Sequence, residues 1–85
     1  KKEYAKVMQE KTAVHCDTEI KANTLLYWAH FQGLKWENGD SYLKDNGYDM
    51  LKAQTCYNLY KGLISSFDSY KEQGYTIYSY KEIFK

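Results

Sequence analysis

The chain has 85 residues, 12 Lys and no Arg against 11 acidic side chains, and a formal net charge of +1 with both His neutral. That length makes one domain, 1–85, which buries little more than ~60% of the surface its unfolded chain exposes. A scattered, near-neutral charge without the guanidinium forks that read phosphates and guanine edges argues against a duplex reader or an anionic-membrane binder, and no apolar run approaches the ~20 residues that span a bilayer.

Residues 2–11 read as a short amphipathic helix, with Tyr4, Val7, Met8 and Lys11 on one face and Glu3, Lys6 and Glu10 on the other. A helix this short needs tertiary packing to persist. The same stretch lacks the apolar core of a secretory leader, so a cytoplasmic location is expected. Residues 12–16 (TAVHC) are a strand candidate, and Asp17 follows as an N-cap with Glu19 in the first turn. Residues 18–32 form the main helix, which Gly33 ends at the C′ position. Residues 34–37 then read as a second strand. The result is a strand–helix–strand unit in which the two strands need not be neighbours.

The main helix has two apolar faces. At ~100° per residue, Ala22, Leu25, Leu26 and Ala29 share one side, which must face the sheet. Ile20, Tyr27 and Phe31 form a second stripe almost opposite, with Trp28 on the flank between them. A plain surface helix is polar there, so something is expected to cover this stripe. The N-terminal helix is the plain candidate, through Tyr4, Val7 and Met8; a second subunit, as a homodimer, or a target protein are the others.

Asn38–Gly39 and Asn46–Gly47 are turn signals. Residues 40–46 between them are polar apart from Tyr42 and Leu43, and residues 48–53 fit one helical turn or a loop. Residues 54–60 (QTCYNLY) alternate as a strand, Lys61–Gly62 reads as a hairpin turn, and residues 63–67 form its second strand. A short helix over residues 68–73 ends at Gly74, and residues 75–80 (YTIYSY) are the clearest strand. Residues 81–85 are a tail with room for a last turn. The expected fold class is α+β: a small mixed or antiparallel sheet of about four strands with one main helix packed on one face and a short N-terminal helix. Aromatic residues make up 18% of the chain, enough large rings to build a core in so short a sequence.

No catalytic constellation emerges. His15 and Cys16 are neighbours on a strand and point to opposite faces. His30 lies roughly 20 Å along the helix from its first turn, so neither His serves as base for Cys16, even though a thiol beside a helix N-terminus has a lowered pKa. No zinc ligand spacing occurs. Cys16 and Cys56 both sit on strand candidates and, if those strands are neighbours, could pair. The plain reading is two reduced, buried thiols. The glycine-rich phosphate loops and the nucleophile elbow are missing, and Asp40, Asp45 and Asp49 fall in turns where solvation is the plain reading. The expectation is therefore a non-enzyme without metal or cofactor. Tyr residues interleaved with Lys, such as Tyr78, Tyr80 and Lys81, suit stacking of single-stranded bases or a protein-binding face. Alternation in YTIYSY puts Tyr75, Ile77 and Ser79 on one side and Thr76, Tyr78 and Tyr80 on the other, with one side expected to be exposed.

Several elements carry a resemblance: His15-Cys16, Thr18-Glu19, Gly33-x-x-Trp36, Gly39-Asp40-Ser41, Thr55-Cys56-Tyr57 and Gly74-Tyr75-Thr76-Ile77. Across residues 13–80 the chain resembles small proteins of phages and prophages of Gram-positive bacteria. The resemblance implies phage origin, hence a bacterial host cytoplasm, and a small α+β domain. The chain departs from the group at Tyr27, Trp28 and Phe31, where the group carries charged residues. That departure points to surface recruited to grip a target.

The leading expectation is an accessory protein that inhibits a host protein by direct binding, counter-defence against a CRISPR nuclease being one instance. Ile20, Tyr27, Trp28, Phe31, Trp36, Tyr78 and Tyr80 are the candidate contact residues. The chain is not acidic enough for a nucleic-acid mimic, which favours steric or allosteric blocking. The alternatives are a small-ligand or nucleotide-signal sponge, with a pocket near His15, Trp36 and Tyr57, and a weak single-stranded nucleic-acid binder.

Overall fold

The computed structural model describes residues 2–84. Four strands, β1 (Thr12–His15), β2 (Thr55–Asn58), β3 (Leu63–Ser66) and β4 (Thr76–Ser79), form one mixed sheet in the order β3-β2-β1-β4. Around it lie α1 (Lys2–Val7), the long α2 (Glu19–Phe31), and the short α3 (Tyr48–Leu51), α4 (Phe67–Glu72) and α5 (Tyr80–Ile83). The class is α+β with one main helix. No helix of the described residues is long and apolar enough to cross a membrane.

β1 is flanked on both edges. It runs antiparallel to β2, with Val14 opposite Tyr57 and His15 opposite Cys56, and parallel to β4, with Ala13 opposite Ile77 and Val14 opposite Tyr78. Strand alternation then sorts the side chains. Val14, Tyr57 and Tyr78 face α2 and join a cluster with Leu25, Leu26, Ala29, Val7 and Ile83. Ala13, Cys56 and Ile77 face the other way and meet Phe67 and Tyr70 of α4. Helices therefore cover both sides of the sheet. Neither side of β4 is left bare, because Tyr75 and Ile77 pack on the α4 side while Tyr78 and Tyr80 pack on the α2 side. This corrects the expectation of one exposed side.

Caps and turns explain the boundaries. Thr18, not Asp17, caps α2: its Oγ1 accepts the Lys21 N–H at 3.3 Å. Asp17 instead pairs with the Lys21 ammonium at 2.8 Å. Gly33, at φ +86°, closes the other end, where its N–H donates to His30 and the Leu34 N–H donates to Ala29. Ser79 and Glu82 form a reciprocal capping box that turns the tail into α5. α1 stops at Val7, short of Lys11, because the Lys11 carbonyl accepts from Thr76 N–H and so already leads into the β1–β4 ladder.

Residues 34–37 are not a strand. They join neither outer edge of the sheet, β3 or β4. The segment instead folds through Gly39 (φ +92°), with Trp36 N–H donating to Asp40 and Glu37 N–H donating to Gly62 at the β2–β3 turn. A Cβ on Gly62 would lie 2.5–2.8 Å from the backbone of residues 35–37, so only glycine lets the hairpin tip and this segment meet.

Candidate protein-binding surface

The outer side of α2 is built by helical period alone: Ile20, Thr24, Tyr27 and Phe31 fall in one stripe. Among the described residues, no other element covers it. Ile20 is 79% exposed, Tyr27 56% and Phe31 69%. The Tyr27 and Phe31 rings meet edge to face at 5.2 Å, and His30 meets Phe31 at 5.4 Å, so the stripe is ordered by its own contacts. The N-terminal helix, expected as a lid, goes elsewhere. Val7 is buried in the core, and Tyr4 reaches only the flank, edge-on to Trp28 at 6.0 Å.

The seven candidate contact residues thus fall into three places. Ile20, Tyr27 and Phe31 share the free stripe. Trp28, Tyr78 and Tyr80 are half-buried beneath the flank. There Phe84 packs edge-on to Trp28 at 5.8 Å and stacks on Tyr80 at 4.9 Å, and the Lys6 ammonium sits 5.0 Å over the Tyr78 ring. Trp36 stands apart from both, on the segment that follows α2, packed edge-on to Tyr42 at 4.8 Å.

Residues 42–46 extend the free stripe. Asn46 ties them to α2, its Nδ2 donating to Asn23 at 2.7 Å and to Glu19 at 3.0 Å. Its carbonyl accepts from the buried Tyr57 hydroxyl. The Trp36 indole N–H holds the Asp45 carbonyl at 3.0 Å. Between this segment and α2 runs an open groove of about 550 Å³, lined by Tyr27, Leu26, Tyr42, Leu43 and Asn23. Leu43, 49% exposed, forms the bank across from Tyr27. The Tyr42 hydroxyl is buried and has no hydrogen-bond partner among the described residues. Sequence reasoning does not single out Leu43 or Met50 (74% exposed) as contact residues. An apolar side chain in an otherwise polar turn segment is the signal that finds Leu43.

The reactive residue types are spent on structure. Cys16 and Cys56 are both fully buried, and burial pushes each thiol up to about 12. For Cys16, desolvation thus outweighs any lowering from the start of α2. The two thiols lie on opposite sides of the sheet, Cys16 in the α2 cluster and Cys56 in the α4 cluster, so they do not pair. His15 Nε2 lies 2.7 Å from the Ala53 carbonyl, and its ring leans on Phe67 at 5.2 Å. This places His15 on the α4 side, away from Trp36 and Tyr57, and the ligand pocket expected among those three residues does not form. Among the described residues, no group of three or more His, Cys, Asp or Glu side chains converges as a metal site.

Comparison of the chain with protein-family models, curated proteins and solved structures finds no significant match. The functional reading rests on this surface.

Proposed function

We propose that the protein is a non-enzymatic phage or prophage accessory protein that binds a host protein through the outer side of α2 and blocks it sterically, a defence nuclease such as a CRISPR effector being the favoured target class. One observation carries the reading. Three large apolar side chains stand more than half exposed on one face of the longest helix, while the other apolar residues of that helix lie in or against the core. Aromatic anchors of this kind dominate the binding energy of protein interfaces, and an ordered apolar patch open to water marks an interaction site. A net charge of +1 supports contact through these rings rather than mimicry of a nucleic acid.

The test is a double variant, Tyr27→Glu with Phe31→Glu. Both side chains are exposed, so the fold should keep its circular dichroism spectrum and lose no more than ~0.5 kcal/mol per site. Wild-type protein immobilised against lysate of a Gram-positive host should retain a discrete target that the folded variant does not. Capture of the same target by both would remove α2 from the interface.

The groove beside Tyr27 supports a second reading, a small-ligand or nucleotide sponge, because 550 Å³ falls in the range of ligand sites, roughly 300–1,000 Å³. A nucleotide library should then raise unfolding stability by about 2.7 kcal/mol at a hundredfold excess over Kd. A flat thermal-shift screen would remove the sponge reading.

A further inference from the structure

A smaller cleft adjoins the candidate surface. Its volume is about 220 Å³, and Trp36, Ile64, Met50, Gly47, Asp40 and Asp45 line it. Asp45 also lines the groove beside α2, so the two recesses meet at this residue. The Trp36 indole is a fixed wall. Its N–H is held by the Asp45 carbonyl at 3.0 Å, and its ring is braced edge-on by Tyr42 at 4.8 Å and at a tilt by Tyr57 at 6.0 Å. Gly47 (φ +68°) brings the backbone close to the wall and floor, since a Cβ there would stand 2.7 Å from Ile64 Cδ1 and 4.0 Å from Trp36 Cη2. Met50 adds an exposed thioether.

Two carboxylates complete the lining. Asp45 Oδ1 accepts the Gly47 N–H at 2.9 Å, and Asp40 Oδ2 accepts from Asn38 Nδ2 at 3.2 Å. Each turn thus uses one oxygen and leaves the other without a protein hydrogen bond among the described residues. Lys44 lies 3.5 Å from Asp40 Oδ2, but that pair is exposed on both sides and so holds weakly.

We propose that this cleft receives an arginine side chain of the partner protein. The inference rests on reading the α2 face as a protein-docking surface, and it names the chemistry the partner must present beside that face. The volume suits one long side chain, below the ~300 Å³ where small-molecule sites begin. An anion would meet two carboxylates. An apolar side chain would strip water from them and return nothing. A cation on an apolar stem satisfies both halves of the lining, because its methylenes lie on Ile64 and Met50 while its head reaches the carboxylates. Indole is the strongest of the cation-binding aromatic faces. A planar guanidinium both stacks on that face and offers a fork of donors to carboxylates, which an ammonium cannot do.

The cleft is testable without knowing the partner, using the full chain labelled with nitrogen-15 and read at its two indole N–H signals. N-acetylarginine methylamide should shift the Trp36 signal saturably and leave Trp28 unmoved, since Trp28 lies against Tyr4 and Phe84. The citrulline analogue, of the same shape but neutral, should bind at least ~10-fold more weakly, and the lysine analogue should fall between. Asp40→Asn with Asp45→Asn keeps the turn hydrogen bonds and should abolish the Trp36 shift. Tyr27→Glu with Phe31→Glu should preserve it, so this inference and the α2 reading fail separately. Equal shifts from citrulline, lysine binding as tight as arginine, an unaltered shift in the Asn variant, or no Trp36 shift at all would each overturn the assignment.

Discussion

The two sides of α2 are both apolar and meet opposite fates. Ala22, Leu25, Leu26 and Ala29 are at most 1% exposed, whereas Ile20, Tyr27 and Phe31 are 56–79% exposed. Hydropathy does not separate them; size and register do. Two alanines on the inner side let the helix axis come close to the sheet, and the two leucines fill the space over Val14 and Tyr57. The larger rings are directed away from the sheet by the helical period, and among the described residues no second layer meets them. What the pairing teaches is that apolar content marks a face for burial only if another element is routed over it. Here the nearest element, α1, is committed to the core through Val7.

The strongest way to break the core, on the α2 side and the α4 side alike, is alkaline pH. Burial raises Cys16 and Cys56 from 9.0 to about 12 and Tyr42 from 10.0 to about 12, and it raises Tyr57 and Tyr70 as well. These acids stay neutral in the folded protein at pH values where the unfolded chain has lost their protons. A raised folded pKa gives stability that is complete below the unfolded value and is lost as pH climbs toward the folded one. Stability should therefore hold up to about pH 9 and decline steadily toward pH 12, where the fold is lost. Melting curves across that range check the decline. Reaction of both thiols with a disulfide reagent should follow unfolding rather than precede it, and early reaction of Cys16 would mean that it is not sealed under α2.

Next in size is Leu25→Ala. It removes a fully buried side chain from the contact between α2 and the sheet and should cost about 2–5 kcal/mol in urea unfolding, the range for such cavities. That is a large share of the ~5–15 kcal/mol a domain has in total. A smaller loss would mean that α2 settles onto the sheet to fill the gap.

The tyrosines beneath the inner side allow a finer comparison. The Tyr57 hydroxyl donates to the Asn46 carbonyl, whereas the Tyr42 hydroxyl is buried with no partner. Tyr57→Phe strands that carbonyl and should destabilise by about 1–3 kcal/mol. Tyr42→Phe removes only an unsatisfied group and should be neutral or stabilise by up to ~1 kcal/mol. Losses of equal size would show that a bound water completes Tyr42.

Legibility in the sequence followed the range of the interactions. The strands at Thr12, Thr55, Leu63 and Thr76, the end of α2 at Gly33 and the hairpin at Gly62 depend on neighbours in the chain, and each was readable to within a few residues. Residues 34–37 carry strand-like side chains, yet their backbone is committed elsewhere: the Trp36 N–H goes to Asp40 and the Glu37 N–H to the hairpin tip at Gly62, contacts that strand propensity does not encode. The candidate surface was readable in the same measure. The Ile20–Tyr27–Phe31 stripe follows from helical period, whereas its bareness depends on the path of α1. The banks around Leu43 and Trp36 were hidden because polar atoms assemble them. Asn46 bonds to Asn23 and Glu19, and the Trp36 N–H bonds to Asp45, contacts that leave no period in a sequence.

The smallest expected effect is the most informative about the outer side of α2. Phe31 is 69% exposed and touches its own helix, through Tyr27 and His30. Phe31→Ala therefore removes little buried area from the monomer and should change stability by less than ~0.5 kcal/mol, against several for Leu25→Ala. The two substitutions belong in one urea series, read at low and high protein concentration. If Phe31→Ala costs nothing at either, the stripe is free in the isolated protein and available to a partner. If its cost grows with concentration, a second copy covers the stripe, because stability gained from association follows mass action. In that case the partner must compete with the homodimer for Tyr27 and Phe31.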